Sequence, residues 1–423
     1  MKSLKRLLMV TSCFTIVLLS GCTFIQDPKQ LISPPLLSSD KESLKSVVNA
    51  YLSRLPNGGS IIKPRELGDA SSIRVRDLDN DGKSEAVVFY ETPDDAVRIH
   101  GVIFTTEGDT WTAVTNFDVE GQVLESVDLR DLKNDGKTEI VVGYSNSDKQ
   151  VQQGLTIYSF HNKTVEKALV LPYTHYVIDD LNGDGQMDIS ILTFQKNEYS
   201  TLTTYQYKDG SFVQLDQLEL DANVNDYYNV VSGRISEGKQ RGIILDASLA
   251  QHSAYSILVV MEKGKLVQKL SQDAALKDFI ISSGDVNRDG ILEIGIQQKP
   301  QGWDGFSFDD IPWFFSYFQY DEKQGLKFVM QQYMDQEGRF YYTFPSELNG
   351  NITVDTKSEK DQYLKFVRID NGETVTEIKF FTLSQWDRAR EDWKELSRTN
   401  DKVIGYRSKY ELKVGKSEKE VKR

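Results

Sequence analysis

Cysteine is almost absent from this chain: 423 residues hold two, Cys13 and Cys22. That excludes a disulfide framework and a cysteine-rich zinc site. Histidine is nearly as scarce, and His100, His161, His175 and His252 are dispersed rather than clustered. Basic residues are in deficit, with 50 Lys+Arg against 63 Asp+Glu and a formal net charge of -13. Binding to nucleic acid needs clustered Lys and Arg to neutralise phosphates, so nucleic acid is not the expected partner, whereas a cation is. The sequence also lacks H-E-x-x-H, G-x-S-x-G, a Walker loop and a dinucleotide-binding glycine signature, so no motif announces an enzyme. Many carboxylates offer accidental pairings for glycoside cleavage, but no pair is singled out.

What is present begins with a leader. Lys2, Lys5 and Arg6 precede an apolar stretch, Leu7 to Leu19, that is too short to span a bilayer. It ends in Leu19-Ser20-Gly21-Cys22, which resembles the bacterial lipobox. The expectation is a signal peptide over 1–21, with Cys22 acylated by a diacylglycerol carrying palmitate-type chains. Cys13 would be discarded with the leader. The chain would then sit on the extracytoplasmic face of the bacterial cell membrane, held by its lipid. Pro28, Pro34, Pro35 and several serines make 22–40 an extended tether. Leu44, Val47, Val48, Tyr51 and Leu52 recur at helical spacing, which predicts a short helix over 41–56.

Four segments then share one acidic pattern. In the first, Asp77, Asp79, Asp81 and Glu85 occupy positions 1, 3, 5 and 9 around Gly82. The third has Asp180, Asn182, Asp184 and Asp188, and the fourth Asp285, Asn287, Asp289 and Glu293. The second has Asp131, Asp135 and Glu139, but position 3 is Lys133, whose ammonium sets it apart. The starts at 77, 131, 180 and 285 leave a last interval close to twice the others. A decayed copy is read near 232, where Arg234 replaces the first Asp and one residue is taken as deleted. Alternating strands flank each loop, such as Ile73 to Arg76 before the first and Ala86 to Tyr90 after it. Further strands, such as Ile99 to Phe104 and Thr110 to Phe117, give four per unit of about 50 residues, the blade signature of a β-propeller.

The pattern D-x-[DN]-x-D-G-x-x-[DE] in such units resembles the FG-GAP or VCBS repeat of integrin alpha-chain propellers and bacterial surface proteins. With the lipobox and tether, the whole resembles VCBS-repeat lipoproteins, a family without an assigned activity. The expected fold is all-β: a propeller over 57–412 built from four-stranded antiparallel blades, with repeats starting near 72, 126, 175, 228, 279 and 340. Six blades are expected, or seven if an end strand completes a split blade. Ser384 to Leu396, with Trp386, Ala389 and Trp393 on one face, predicts a short helix in the last unit, and 413–423 reads as a charged tail.

Hard oxygen donors at positions 1, 3, 5 and 9 suit Ca²⁺, and glycine at position 6 permits the sharp turn that brings position 9 back. Position 12 is Val88, Val142, Ile191 and Ile296, which excludes an EF-hand. The competing reading is an Asx turn that bonds its own backbone. Trp303, Phe306, Phe308 and Trp313 form an aromatic segment that either stacks on a ligand or fills a junction between units. The functional expectation is a Ca²⁺-stabilised binding module with a surface protein or glycan as partner. The alternative is a surface polysaccharide hydrolase or lyase, with its site in the channel or near Trp303.

Overall fold

The second strand of each of the first three units is apolar nearly throughout, a pattern that only a sheet covered on both faces can hide. A computed structural model describes residues 39–415, except 67–70, 93–97, 109, 148–152, 251–252 and 279. The leader, Cys22, most of the tether, His252 and the tail beyond 415 lie outside the described residues. The fold is all-β, with six open antiparallel sheets of four or five strands each.

Sheet one contains β1 (Ser60–Ile61), β2 (Ile73–Arg76), β3 (Glu85–Glu91), β4 (Ile99–Glu107) and β5 (Thr110–Val119); β1 and β2 both pair with β3. Sheet two is β6 (Val123–Arg130), β7 (Glu139–Ser145), β8 (Gln153–His161) and β9 (Thr164–Tyr173) in simple order. Sheet three repeats that order with β10 (His175–Asp179), β11 (Asp188–Gln195), β12 (Tyr199–Lys208) and β13 (Ser211–Glu219). Sheet four has β14 (Asp226–Arg234), β15 (Arg241–Ala250), β16 (Ser253–Glu262) and β17 (Lys265–Gln268), with β18 (Leu276–Lys277) also on β16. Sheet five runs through β19 (Ile294–Gln298), β20 (Phe314–Asp321), β21 (Gly325–Met334) and β22 (Tyr341–Thr343). Sheet six holds β23 (Ile352–Val354), β24 (Tyr363–Arg368), β25 (Thr374–Thr382), β27 (Lys402–Ser408) and, at its edge, β26 (Lys394–Arg398).

Alternation along each second strand sends successive side chains to opposite neighbours. Val87 and Phe89 of sheet one pack with Ile140 and Val142 of sheet two. The other face of sheet two offers Val141, Leu155 and Ile157 to Ile189 and Ile191 of sheet three. Leu192 and Phe194 then meet Ile243 and Leu245 of sheet four, whose Ile244 and Leu258 meet Ile294 of sheet five. Phe314 and Tyr333 of sheet five join Phe366 and Ile378 of sheet six. The sheets therefore stack in sequence order. Both terminal faces are covered by helices: α1 (Ser39–Ser53) lays Leu44, Val48 and Leu52 on Ala86, Val88 and Phe104, and α2 (Leu383–Ala389) sets Trp386 against Phe381 and Val403.

Four boundaries differ from the sequence reading. Helix α1 ends at Ser53 rather than reaching 56, as Pro56 approaches. Helix α2 stops at Ala389, and Lys394–Arg398 is an edge strand instead of a last helical turn; Trp393 still packs near Phe381. Residues Lys413–Gly415, read as part of a solvated tail, form β28 and pair with β22, fastening the chain end to sheet five. The decayed copy has no deletion: Gly233 pairs with Gly242 at the same separation as Arg76 with Glu85 and Asp179 with Asp188.

Sheet four also carries a fully buried ion pair. Lys277 Nζ lies 2.7 Å from Asp246 Oδ1 and donates to the Ile281 carbonyl at 2.8 Å. Asp246 further accepts from the Ser283 N–H at 2.6 Å and from Asn229 Nδ2 at 2.8 Å, so this carboxylate ties β14, β15 and the link to sheet five. Burial pushes the lysine down despite its partner. Asp246→Ala, which strands the ammonium, should lower stability by about 3–5 kcal/mol in urea unfolding, while adding Lys277→Met to that variant should recover most of the loss.

Candidate functional site

All four acidic loops fold alike, because each residue type has one job. The glycine N–H at position 6 donates to the position-1 carboxylate: Gly82 to Asp77 at 3.0 Å, Gly136 to Asp131 at 2.9 Å, Gly185 to Asp180 at 2.9 Å and Gly290 to Asp285 at 3.0 Å. These glycines have φ between 81° and 88°, where a side chain would be strained. Position 5 accepts from the N–H two residues on, as Asp81 does from Lys83 at 2.8 Å and Asp135 from Lys137 at 3.0 Å. Position 9 opens the second strand, and its buried carboxylate accepts the position-2 N–H. The pairs are Leu78 to Glu85, Leu132 to Glu139, Leu181 to Asp188 and Val286 to Glu293, all at 2.8–3.0 Å.

The Asx-turn bonds are thus present, and donor oxygens remain beside them. Carboxylate oxygens of Asp77, Asp79 and Glu85 lie within 4.8 Å of one another, as do those of Asp285, Asp289 and Glu293. In the third and fourth loops the position-3 asparagine also holds position 5: Asn182 Nδ2 donates to Asp184 at 3.0 Å and its Oδ1 accepts the Asp184 N–H at 2.8 Å, and Asn287 does the same for Asp289 at 2.9 and 2.8 Å. Asp79 Oδ1 and Asp188 Oδ1 are buried and accept no hydrogen bond among the described residues. A buried anionic oxygen in that state is costly unless a proton or a cation meets it. Desolvation accordingly raises Glu85, Glu139 and Glu293, and pushes Asp188 up to about 7. A set of hard oxygens around buried negative charge is chemistry that fits a divalent cation such as Ca²⁺.

Lys133 gives the second loop a charge of its own. Its Nζ lies 3.5 Å from Glu139 Oε1, donates to Ser159 Oγ at 2.6 Å and stands 5.2 Å from the Tyr207 ring centroid. Sequence reasoning missed the third-strand side chains that close the loops. Thr105 donates to Glu85 at 3.2 Å, Gln206 to Asp184 at 2.9 Å, and Gln319 to both Asp289 at 2.9 Å and Glu293 at 2.8 Å. Each lies on the strand after the one its loop leads into, β4, β12 and β20, and the two glutamines share an aromatic-Gln-Tyr triplet.

The loops also touch in series. The Thr138 N–H donates to the Leu78 carbonyl at 2.9 Å, Gln186 Nε2 to the Leu132 carbonyl at 3.1 Å, and the Leu292 N–H to the Arg234 carbonyl at 2.7 Å. Arg234, in the decayed copy, donates to the carbonyls of Asp289 at 3.0 Å and Gly290 at 3.3 Å. A guanidinium replaces the lost acidic loop as the link to the next one.

Away from the loops, a cavity of 550 Å³ opens between β2 and β6, lined by Glu66, Arg74, Arg76, Asp128 and Arg130 among others. Glu66 stays exposed at the mouth of this recess, where partial desolvation, with Asp128 and Glu125 nearby, raises it modestly at most. The Tyr176 hydroxyl donates to Asp128 at 2.8 Å. In the aromatic segment, Trp303 (2% exposed) and Trp313 (4%) belong to the core between sheets five and six, and Trp303 Nε1 donates to the Val354 carbonyl at 2.8 Å. Phe306 is exposed, and Phe308 packs partly buried against Trp313. His175 is held below its usual range by burial, and His100 has Asp118 at 2.8 Å and Thr92 at 3.0 Å on its two ring nitrogens.

No protein-family model matches the chain, and no curated protein matches it by sequence. Solved structures similar to it include the rhamnogalacturonan lyase YesW, at 12% identity and TM-score 0.32, covering 75% of this chain and 76% of that one. A rhamnogalacturonan lyase of Bacillus licheniformis gives 11% identity and TM-score 0.32, covering 76% and 73%. The exotype rhamnogalacturonan lyase YesX gives 11% identity and TM-score 0.27, covering 77% and 73%. Likeness of this degree does not extend to a site or an activity. Among the described residues no helix is long and apolar enough to cross a membrane.

The raised carboxyl of Asp188 sets a pH dependence. Its folded pKa, about 7, lies above the ordinary aspartate value of 3.8, so the unfolded chain releases this proton first. In chelator, stability should therefore fall as pH rises from about 4 to about 7, by up to about 4 kcal/mol, and then level off. Asp188→Asn should flatten that fall in urea titrations across this range.

Proposed function

We propose that this chain is a lipid-anchored β-propeller on the extracytoplasmic face of the bacterial membrane, stiffened by Ca²⁺ and serving as a binding module. Each sheet is one blade of a ring left open between sheets one and six, whose outer faces the two helices cover, and the first strands of sheets one to four line its inner side. Supporting this, β10 lies against β14, β2 and β6 line one cavity, and Tyr176 of sheet three bonds Asp128 of sheet two. The resemblance of the acidic loops to FG-GAP and VCBS repeats points the same way. The anchor rests on Leu19 to Cys22 in the sequence alone.

One observation carries the calcium reading: buried position-9 carboxylates recur at a fixed place, and among the described residues those of the first, third and fourth loops have no lysine beside them as Glu139 has Lys133. A cation would supply that charge and join neighbouring blades through loops that already touch. Calorimetry should find about three Ca²⁺ per chain, taken by the Asp77, Asp180 and Asp285 loops. Asp289→Ala should remove one ion and Arg234→Ala none. Saturation at 100 times Kd would add about 2.7 kcal/mol per site, so chelation should lower the Tm and leave the β-rich spectrum intact. No uptake, with an unchanged Tm, would reduce the loops to Asx turns.

A second reading has its own observation. The recess between β2 and β6 places the raised Glu66 near Asp128, a pairing suited to acid–base cleavage of a surface polysaccharide. Under that reading Glu66→Gln abolishes glycan turnover at unchanged Tm; if wild type shows no turnover, the binding module stands alone.

A further inference from the structure

A second cavity, of 280 Å³, opens beside β19, β20 and the end of β21. Its walls are apolar. Phe315 on β20 and Met334 at the end of β21 are half-buried, Phe308 adds a half-buried ring from the 3-10 turn over Phe308–Asp310, and Ile280 is left 43% exposed at the rim. Trp313 backs Phe308, with ring centroids 4.9 Å apart and its Nε1 donating to the Phe308 carbonyl at 3.1 Å; at 4% exposed it fixes the wall rather than offering a face.

The mouth of this cavity is negative. The Asp309 carboxylate is exposed there and has no ion-pair partner among the described residues, since Lys360 Nζ donates instead to the Asp309 carbonyl at 3.3 Å. Asp335 also lines the cavity, and the cation it meets is shared: Arg339 stands 2.7 Å from Asp335, 3.2 Å from Glu337 and also against Asp361. One guanidinium thus serves three carboxylates, and with Asp309 and Lys360 this corner sets four acids against two cations. Aromatic rings attract a cation, and a methylated ammonium has an apolar surface with its charge spread beneath it, so it sheds water readily against phenylalanine and methionine. Carboxylates at the mouth add to that attraction, repel an anion and give a neutral ligand nothing. A primary ammonium needs acceptors for three N–H groups, which rings and a thioether do not supply. We propose that this cavity binds a small methylated ammonium, with its N-methyl groups on Phe308, Phe315 and Met334 and its charge toward Asp309. The same group can arrive as a free molecule or at the end of an envelope polymer. The proposal deepens the binding-module reading by naming a ligand class, and rests on that reading for the use made of the site.

The test uses the full mature chain with Ca²⁺ present and choline chloride as the probe, against methylamine and the uncharged tert-butyl analogue of choline. Calorimetry and saturation-transfer NMR should show choline binding with a Kd of about 1 mM and the uncharged analogue about 10-fold more weakly. Asp309→Asn should weaken choline about 3-fold at unchanged Tm and remove most of the salt dependence, the size expected of an exposed charge. Phe315→Leu should weaken it about 5-fold. Asp304→Asn, which removes an 88% exposed carboxylate outside the cavity, should leave binding as it is. Choline immobilised through its hydroxyl separates the two sources: retention of the chain assigns a polymer-borne group, binding of free choline alone assigns a free ligand, and both support the site. Binding of the uncharged analogue or of methylamine as tightly as choline, equal losses in Asp309→Asn and Asp304→Asn, or no binding overturns the proposal. If no probe binds yet the chain is retained on envelope material, the cavity proposal falls and the binding-module reading stands; if choline binds and envelope material is not held, the site stands and that reading falls.

Discussion

Negative charge buried at the start of a strand is the constraint around which the repeat is built. Glu85, Glu139 and Asp188 each open a second strand that is apolar on both faces, and Glu293 immediately precedes β19; at all four buried places water cannot solvate a carboxylate. One backbone N–H meets each of them, from the second residue of its loop, which pins the loop's entry to its exit. That bond alone leaves the acid raised in every copy, and the copies differ in what else faces it. Lys133 faces Glu139 in the second loop, Thr105 faces Glu85 in the first and Gln319 faces Glu293 in the fourth, whereas in the third Gln206 reaches Asp184 and leaves Asp188 with the Leu181 N–H.

The same loops connect the sheets, so their electrostatics bear on the whole stack. Thr138 reaches back to Leu78, Gln186 to Leu132 and Leu292 to Arg234, each bond crossing from one unit to the one before it. Where the acidic pattern has decayed, fourth-unit cations take over: Arg234 grips the carbonyls of the next loop, and Arg241 forms a bidentate pair with buried Asp179 of sheet three. Lys277 and Asp246 do the corresponding work in the interior. In that unit Arg241–Asp179 and Lys277–Asp246 are pairs whose charges both come from the chain.

Much of this was legible in the sequence because it repeats. The acidic pattern and the apolar runs behind it located the second strands of the first three sheets, and the doubled interval located the decayed unit. Helix α1 was legible from Leu44, Val48 and Leu52, since amphipathic spacing reports a buried stripe directly. What failed to show has physical reasons. Lys394 to Leu396 reads as helical by spacing, but pairing with β27 overrides local propensity at that edge. Strand β28 is a short polar segment that only its partner β22 makes into a strand. Of the loop partners, Gln206 and Gln319 share an aromatic-Gln-Tyr triplet, Tyr205-Gln206-Tyr207 and Phe318-Gln319-Tyr320, but Thr105 lies outside it and the triplet alone does not say which loop a glutamine meets. The aromatic segment was ambiguous between ligand platform and core; the fold buries Trp303 and Trp313 in the junction and leaves Phe306 exposed.

Hydrogen exchange, read peptide by peptide across the four loops with and without Ca²⁺, tests the account most directly. On the proposed reading the Leu78, Leu181 and Val286 amides bond carboxylates that an added cation would meet, whereas the Leu132 amide bonds one already facing Lys133. Ca²⁺ should slow exchange in peptides spanning 77–85, 180–188 and 285–293, and leave those spanning 131–139 and 234–242 unchanged. Equal protection in all five, or none in any, would contradict the claim that unpaired buried carboxylates make these loops cation sites.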